Sequence, residues 1–154
     1  MDTFTTTVQI AAPPDCVFEH FTRPELLVRW MGQFARLEAR PGGLFSLDIN
    51  GILIRGQYVT LDPPRLIEIA WGEAGNAEMP PGATSLVLRF EAADSDTLVH
   101  LEHRGLTPAE AINHAVGWPH YLTRLATLAG GGAPGPDPFA DGWERATPAA
   151  SRLD

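Results

Sequence analysis

From Phe34 to Arg104 the apolar residues recur at every second position, and no connection between the runs is long enough for a parallel crossover. That pattern constrains the chain more than any other feature. It predicts a meandering antiparallel sheet whose two faces differ in polarity. Thr3 to Ile10, rich in Thr, Val and Ile and closed by Pro13-Pro14, reads as a first strand. Asp15 is placed to cap a short helix over 16–21, with Val17, Phe18 and Phe21 on its apolar side. Pro24 opens a second short helix that turns Leu26, Leu27 and Trp30 inward. Further strands are expected at 44–49 and 52–60 around the hairpin pair Asn50-Gly51, at 66–71, and at 84–93 and 97–104. The segment 72–83 reads as a loop. The total is six or seven strands.

One long helical signal follows. Thr107-Pro108-Ala109-Glu110 is a capping box with proline at the first helical position. Ala115, Trp118, Leu122, Leu125 and Ala129 fall on one face, and Pro119 is expected to kink or split the helix. Gly130-Gly131-Gly132 ends it. The expected division is a folded domain over 1–129 and a Gly/Pro-rich tail over 130–154, which composition reads as flexible and which is either splayed or, as expected here, pinned by its anchors Phe139 and Trp143. The fold class is therefore α+β: an antiparallel sheet against a long C-terminal helix, with two short helices after the first strand.

Composition narrows function. In 154 residues, 44% of them hydrophobic, there is material for one packed core. Eleven basic against nineteen acidic residues give a charge of −8, which disfavours nucleic acid, and no basic stripe appears. No apolar run approaches the ~20 residues of a membrane helix. The N-terminus lacks a signal-peptide layout, so a cytoplasmic location is expected. A single cysteine, Cys16, excludes an internal disulfide and a Cys-based zinc site.

Strand parity then points to a cavity. The apolar parity carries Phe45, Leu47, Ile49, Ile52, Ile54, Tyr58, Ile67, Ile69 and Trp71. It continues through Leu86, Leu88, Phe90, Val99, Leu101 and His103. The other parity carries Ser46, Asp48, Arg55, Gln57, Glu68, Arg89, His100 and Glu102, a solvent face. One helix about 10 Å wide does not cover such a sheet, so curvature leaves a pocket lined by aromatics. The candidate ligand-binding residues are Trp30, Phe45, Ile54, Tyr58, Ile69, Trp71, Leu88, Leu101, His103, Trp118 and Leu122. For each of them plain core filling is the competing account. His103 in particular either enters the pocket as a neutral imidazole or caps a loop carbonyl near Gly105.

The ordered set Ile10-Ala11-Ala12-Pro13, Val17-Phe18, Thr22, Leu26, Trp30, Pro41-Gly42-Gly43, Gly56 and Asp62-Pro63-Pro64-Arg65-Leu66 continues with Trp71 and the run Thr97 to His103. It ends with Gly105, Gly117-Trp118, Leu122 and Leu125. Over residues 5 to 129 this set resembles bacterial proteins of the activator of heat-shock protein 90 ATPase homologue-like family, in the START-like, birch-pollen-allergen-like superfamily. The resemblance implies the helix-grip fold, a curved sheet wrapped around the long C-terminal helix. Phe18 stands where the family often has Trp, and the Gly/Pro tail lies outside the family pattern.

No catalytic constellation emerges. His100 and His103 have opposite strand parity, and His114 and His120 are six apart on a helix, so neither pair is placed to share a metal. No His-Glu-x-x-His, Gly-x-Ser-x-Gly or phosphate loop occurs; catalytic residues, metal and cofactor are each assigned as none. Cys16 at a helix start is read as a small buried hydrophobe ahead of a nucleophile. The first expectation is a binding module for a small apolar or amphipathic molecule. The resemblance implies two alternatives, a chaperone-regulating interaction module and a cavity enzyme of the cyclase or dehydratase kind. A homodimer and a chaperone partner stay open.

Overall fold

The prolines and turn dipeptides set where each element begins in the computed structural model, which describes residues 1–141. Strand β1 (Asp2–Ile10) runs into Pro13-Pro14, and Pro14 occupies the first turn of helix α1 (Pro14–Glu19). Asp15 lies inside that helix, not ahead of it. Pro13 holds the cap position without a side-chain bond, and the Asp15 carboxylate accepts from the amide of Cys16 at 2.8 Å. A proline fixed near helical φ starts the helix one residue earlier than a capping aspartate would. Helix α2 (Pro24–Leu27) starts the same way and buries Leu27.

The sheet then meanders through β2 (Phe34–Leu37), β3 (Leu44–Ile49), β4 (Ile52–Asp62), β5 (Leu66–Glu73), β6 (Thr84–Ala93) and β7 (Asp96–Leu106). Asn50 and Gly51, at φ 53° and 86°, make the two-residue turn that matches strand twist. All seven strands pair antiparallel in the order β1-β7-β6-β5-β4-β3-β2, with β1 brought across to cover β7. A shift in register between Tyr58 and Thr60 marks a bulge in β4, where local twist increases. Gly56 faces Trp71 in the next strand, where a Cβ would run into the carbonyl of Ala70. The sequence parity is realised throughout: Phe45, Leu47, Ile49, Ile67, Ile69, Leu86, Leu88, Val99 and Leu101 are all buried. β5 runs two residues past Trp71, because Gly72 and Glu73 pair with Arg55 and Ile54.

Helix α3 (Pro108–Ala129) is continuous, about 33 Å long, and closes the concave side of the sheet. Thr107 caps it, its side chain accepting from the Glu110 amide. Pro119 does not divide it. The carbonyl its ring opposes belongs to Ala115, which is exposed, and the residues that follow, Tyr121, Leu122 and Leu125, bury their side chains. The buried stripe is Glu110, Asn113, Trp118, Tyr121, Leu122, Leu125 and Leu128. Ala115 therefore lies off the face expected from its neighbours. The true face includes two polar residues in its first turn and a half, which apolar periodicity cannot register. Beyond Gly130 the chain doubles back along α3 to a 3-10 turn at Pro138–Asp141. Trp143, the second expected tail anchor, lies outside the described residues.

Candidate functional site

A cavity of about 70 Å³ lies under the N-terminal half of α3. Ile49, Ile52, Ile54 and Trp71 form its floor from β3, β4 and β5, with Met31 from the segment after α2. Met79 enters from the β5–β6 loop, only 1% exposed, held by a 2.7 Å bond from the Glu73 amide to the Met79 carbonyl. The roof is Glu110, Asn113, His114, Gly117, Trp118 and Tyr121, positions that recur along one face of the helix. Phe139, from the returning segment, closes the remaining side.

Of the eleven sequence candidates, Ile54, Trp71 and Trp118 line this cavity. The other eight are buried in the packing around it. Phe45 stands beside Trp71, ring centroids 5.7 Å apart, and Tyr58 beside Phe45 at 5.6 Å. Tyr58 donates its hydroxyl to the Phe21 carbonyl at 2.8 Å, and Trp30 donates Nε1–H to the His20 carbonyl at 3.1 Å. These bonds tie the sheet and α2 to the end of α1. Ile69, Leu88, Leu101 and Leu122 are at most 2% exposed.

His103 is fully buried, and its hydrogen bonds define its state. Its Nδ1 accepts from Trp118 Nε1–H at 3.1 Å. The ring proton therefore sits on Nε2, which donates to Thr84 Oγ1 at 2.8 Å. Thr84 in turn donates to the Trp71 carbonyl at 2.6 Å. Burial first, and then the neighbouring His114, hold the His103 pKa well below its ordinary value, so the imidazole is neutral. His103 fixes Trp118 from behind, in neither of the two positions expected for it.

The polar side of the cavity is built around Asn76. Its Nδ2 donates to Glu110 Oε2 at 2.8 Å and to Glu73 Oε1 at 3.1 Å, joining the loop after β5 to the first turn of α3. His114 Nδ1 donates to the Glu110 carbonyl at 2.6 Å, and the His114 ring meets His103 edge-on at 4.7 Å. Sequence periodicity missed Glu110, Asn113 and His114. The available signal was their spacing with Gly117, Trp118 and Tyr121, at helical intervals regardless of polarity.

The segment over 131–141 forms a strap, latched by Asp137. That carboxylate accepts from Tyr121 Oη at 2.6 Å, from His120 Nε2 at 2.8 Å and from the Phe139 amide at 2.9 Å. Burial pushes the Asp137 pKa up, yet the bonds from Tyr121, the Phe139 backbone and His120 outweigh it and leave the carboxyl below its ordinary value. The phenol of Tyr121 is pushed up, first by burial and then by Asp137. Phe139 stacks on His120 at 3.7 Å, and Arg124 reaches the carbonyls of Trp30 and Pro134. The Cys16 thiol is pushed up by burial and by Asp15 and Glu19, which keeps it protonated. Among the described residues no group of three His, Cys, Asp or Glu side chains could hold a metal ion, and no helix is long and apolar enough to cross a membrane.

A curved seven-stranded antiparallel sheet gripping one long C-terminal helix, with a cavity between them, is the helix-grip arrangement. Residues 11–130 match the family described as Activator of Hsp90 ATPase homolog 1-like protein, and the chain belongs to that family. Among solved structures, the chain is similar to an AHSA1-like protein of Rhizobium etli at 36% identity and a TM-score of 0.68, covering 90% of this chain and 89% of that one. It is similar in fold to the Aha1 dimer of Colwellia psychrerythraea (21% identity, TM-score 0.72, 86% and 100% covered). The same holds for an HSP90 activator of Plasmodium falciparum (22% identity, TM-score 0.67, 83% and 96% covered). No curated protein matches the chain.

Proposed function

We propose that this chain is a small-molecule binding module that holds an apolar or amphipathic ligand between α3 and the sheet. The observation that carries this reading is the cavity itself, walled by isoleucines, methionines and aromatics from five separate parts of the chain. At about 70 Å³ it is smaller than the roughly 150 Å³ that binds benzene in an engineered protein core. A ring-sized ligand therefore enters by displacing Phe139, the wall held by the Asp137 latch. A cytoplasmic location and a homodimer belong to this reading. Native mass spectrometry of freshly purified protein tests it, because it reports both a co-purified molecule and the subunit number. A mass increment lost on denaturation supports the reading; a bare chain that also takes up no apolar probe overturns it.

The family description and the Plasmodium activator favour a second reading, in which the chain docks on an Hsp90-type chaperone. Stimulation of the chaperone's ATPase by the purified chain decides between the two. The binding reading expects none.

A further inference from the structure

Three tryptophans sit in the core of the described chain, and two have their indole N–H groups satisfied within it. Trp30 donates to the His20 carbonyl and Trp118 to His103 Nδ1. Trp71 is 3% exposed, and its Nε1 is the buried side-chain polar atom without a partner among the described residues. Trp71 is also one of the residues that line the cavity. Buried polar groups are nearly always paired, and an orphan calls for an explanation. Packing supplies none, because the ring is held on several sides, by Phe45, by His103 at 5.6 Å and by Trp118 at 5.4 Å.

The charge of the lining limits the occupant further. The chain contains no lysine, and no arginine lines the cavity. Its ionisable wall residues are Glu110, His114 and Tyr121, with Glu73 joined to Glu110 through Asn76. A carboxylate- or phosphate-headed ligand would find no lysine or arginine in the lining and would face the Glu110 carboxyl, with Glu73 joined behind it. A neutral molecule with one oxygen acceptor fits both observations.

We propose that the cavity selects neutral, ring-sized apolar molecules bearing a carbonyl or ether oxygen, and that Trp71 Nε1–H is the donor that orients this oxygen. This inference rests on the binding reading above and deepens it. Trp71 thereby sets specificity, while the isoleucines and methionines supply sequence-tolerant apolar contact.

The test uses the full chain with two isosteric probes, cyclohexanone and methylenecyclohexane, which differ in an oxygen for a CH₂. Affinities are measured by NMR titration for the wild type and for Trp71→Phe, which keeps an aromatic ring and removes the donor. A typical hydrogen bond makes the ketone's relative advantage about fivefold larger in the wild type than in the variant. The indole N–H resonance of Trp71 should move on adding the ketone and stay put with the alkene. Should Trp71→Phe not fold, that wild-type resonance decides alone. If both probes bind and neither the ratio nor the resonance distinguishes them, the donor role is overturned while the cavity reading stands. If neither probe binds, the cavity reading falls and takes this inference with it. Cyclohexanecarboxylate should bind far more weakly than the ketone; equal affinity would overturn the selection for neutral ligands.

Discussion

Replacing His103 by phenylalanine should destabilise the protein in a manner that depends on pH. The ring positions against Trp71 and His114 can be kept, but both hydrogen bonds of the imidazole are lost. Each is worth about 1 kcal/mol, and the buried Trp118 N–H left without an acceptor adds about 1–3 kcal/mol. At pH 7.5 the deficit should total about 3–5 kcal/mol. The wild type carries a second liability that the variant lacks. Its His103 is held neutral in the fold, well below the ordinary 6.5, while the unfolded chain protonates it freely. The stability associated with the neutral form is thus present above about pH 6.5 and lost as pH falls below it. At pH 5.5 that loss is about 1 kcal/mol for one such histidine. The gap between wild type and variant should therefore narrow by about this amount between pH 7.5 and 5.5. Urea unfolding at the two pH values measures both, with the m-value checked for constancy. A gap that does not move with pH would show that His103 is not a buried neutral base. A variant as stable as wild type at pH 7.5 would show that the chain from Trp118 to the Trp71 carbonyl stabilises nothing.

Trp118→Ala removes a side chain 3% exposed that contacts Trp71 and His103, and should cost about 3–5 kcal/mol by urea unfolding. An unchanged midpoint would place Trp118 outside the core. Tyr58→Phe leaves the Phe21 carbonyl without its donor and should cost about 1–2 kcal/mol with the fold intact by circular dichroism; a neutral result would mean that water replaces the phenol. Asp137→Ala removes three accepted bonds and should speed hydrogen exchange at the Phe139 amide at least tenfold while the sheet stays protected. Because the Asp137 carboxyl is held below its ordinary 3.8, the wild-type strap should also loosen as pH falls beneath that value, and a strap equally protected at pH 3 and pH 7 would contradict the latch.

The sheet was readable because each inward residue is apolar and the period is two, so parity alone assigns Phe45, Leu47, Ile49 and their partners to one face. Asn50-Gly51 and the Thr107–Glu110 box named their own turn and cap. The cavity was less legible for a physical reason. Sequence gives the face on which a side chain lies but not how far along the helix the sheet curves away. Leu122 and Trp118 look alike to periodicity, yet Leu122 is packed shut and Trp118 borders empty space. Polar wall residues were hidden more deeply, since Glu110 is buried with its carboxylate paired to Asn76, thirty-four positions earlier in the chain. Phe139 stands in a Gly- and Pro-rich stretch whose composition signals flexibility. The long-range bonds to His120 and Tyr121 that fix it leave no local trace.

The family match ends at residue 130, and the ring that completes the cavity stands at 139. The grip of sheet and helix lies within that match, while the wall that Phe139 supplies lies outside it, on a segment that pairs with no strand. On the binding reading proposed above, lengthening that segment, shortening it or exchanging Phe139 would change which molecules fit without disturbing a single strand pairing. On that reading, grafting this strap onto another helix-grip protein would carry over the Phe139 wall but leave the chemistry of the chamber behind.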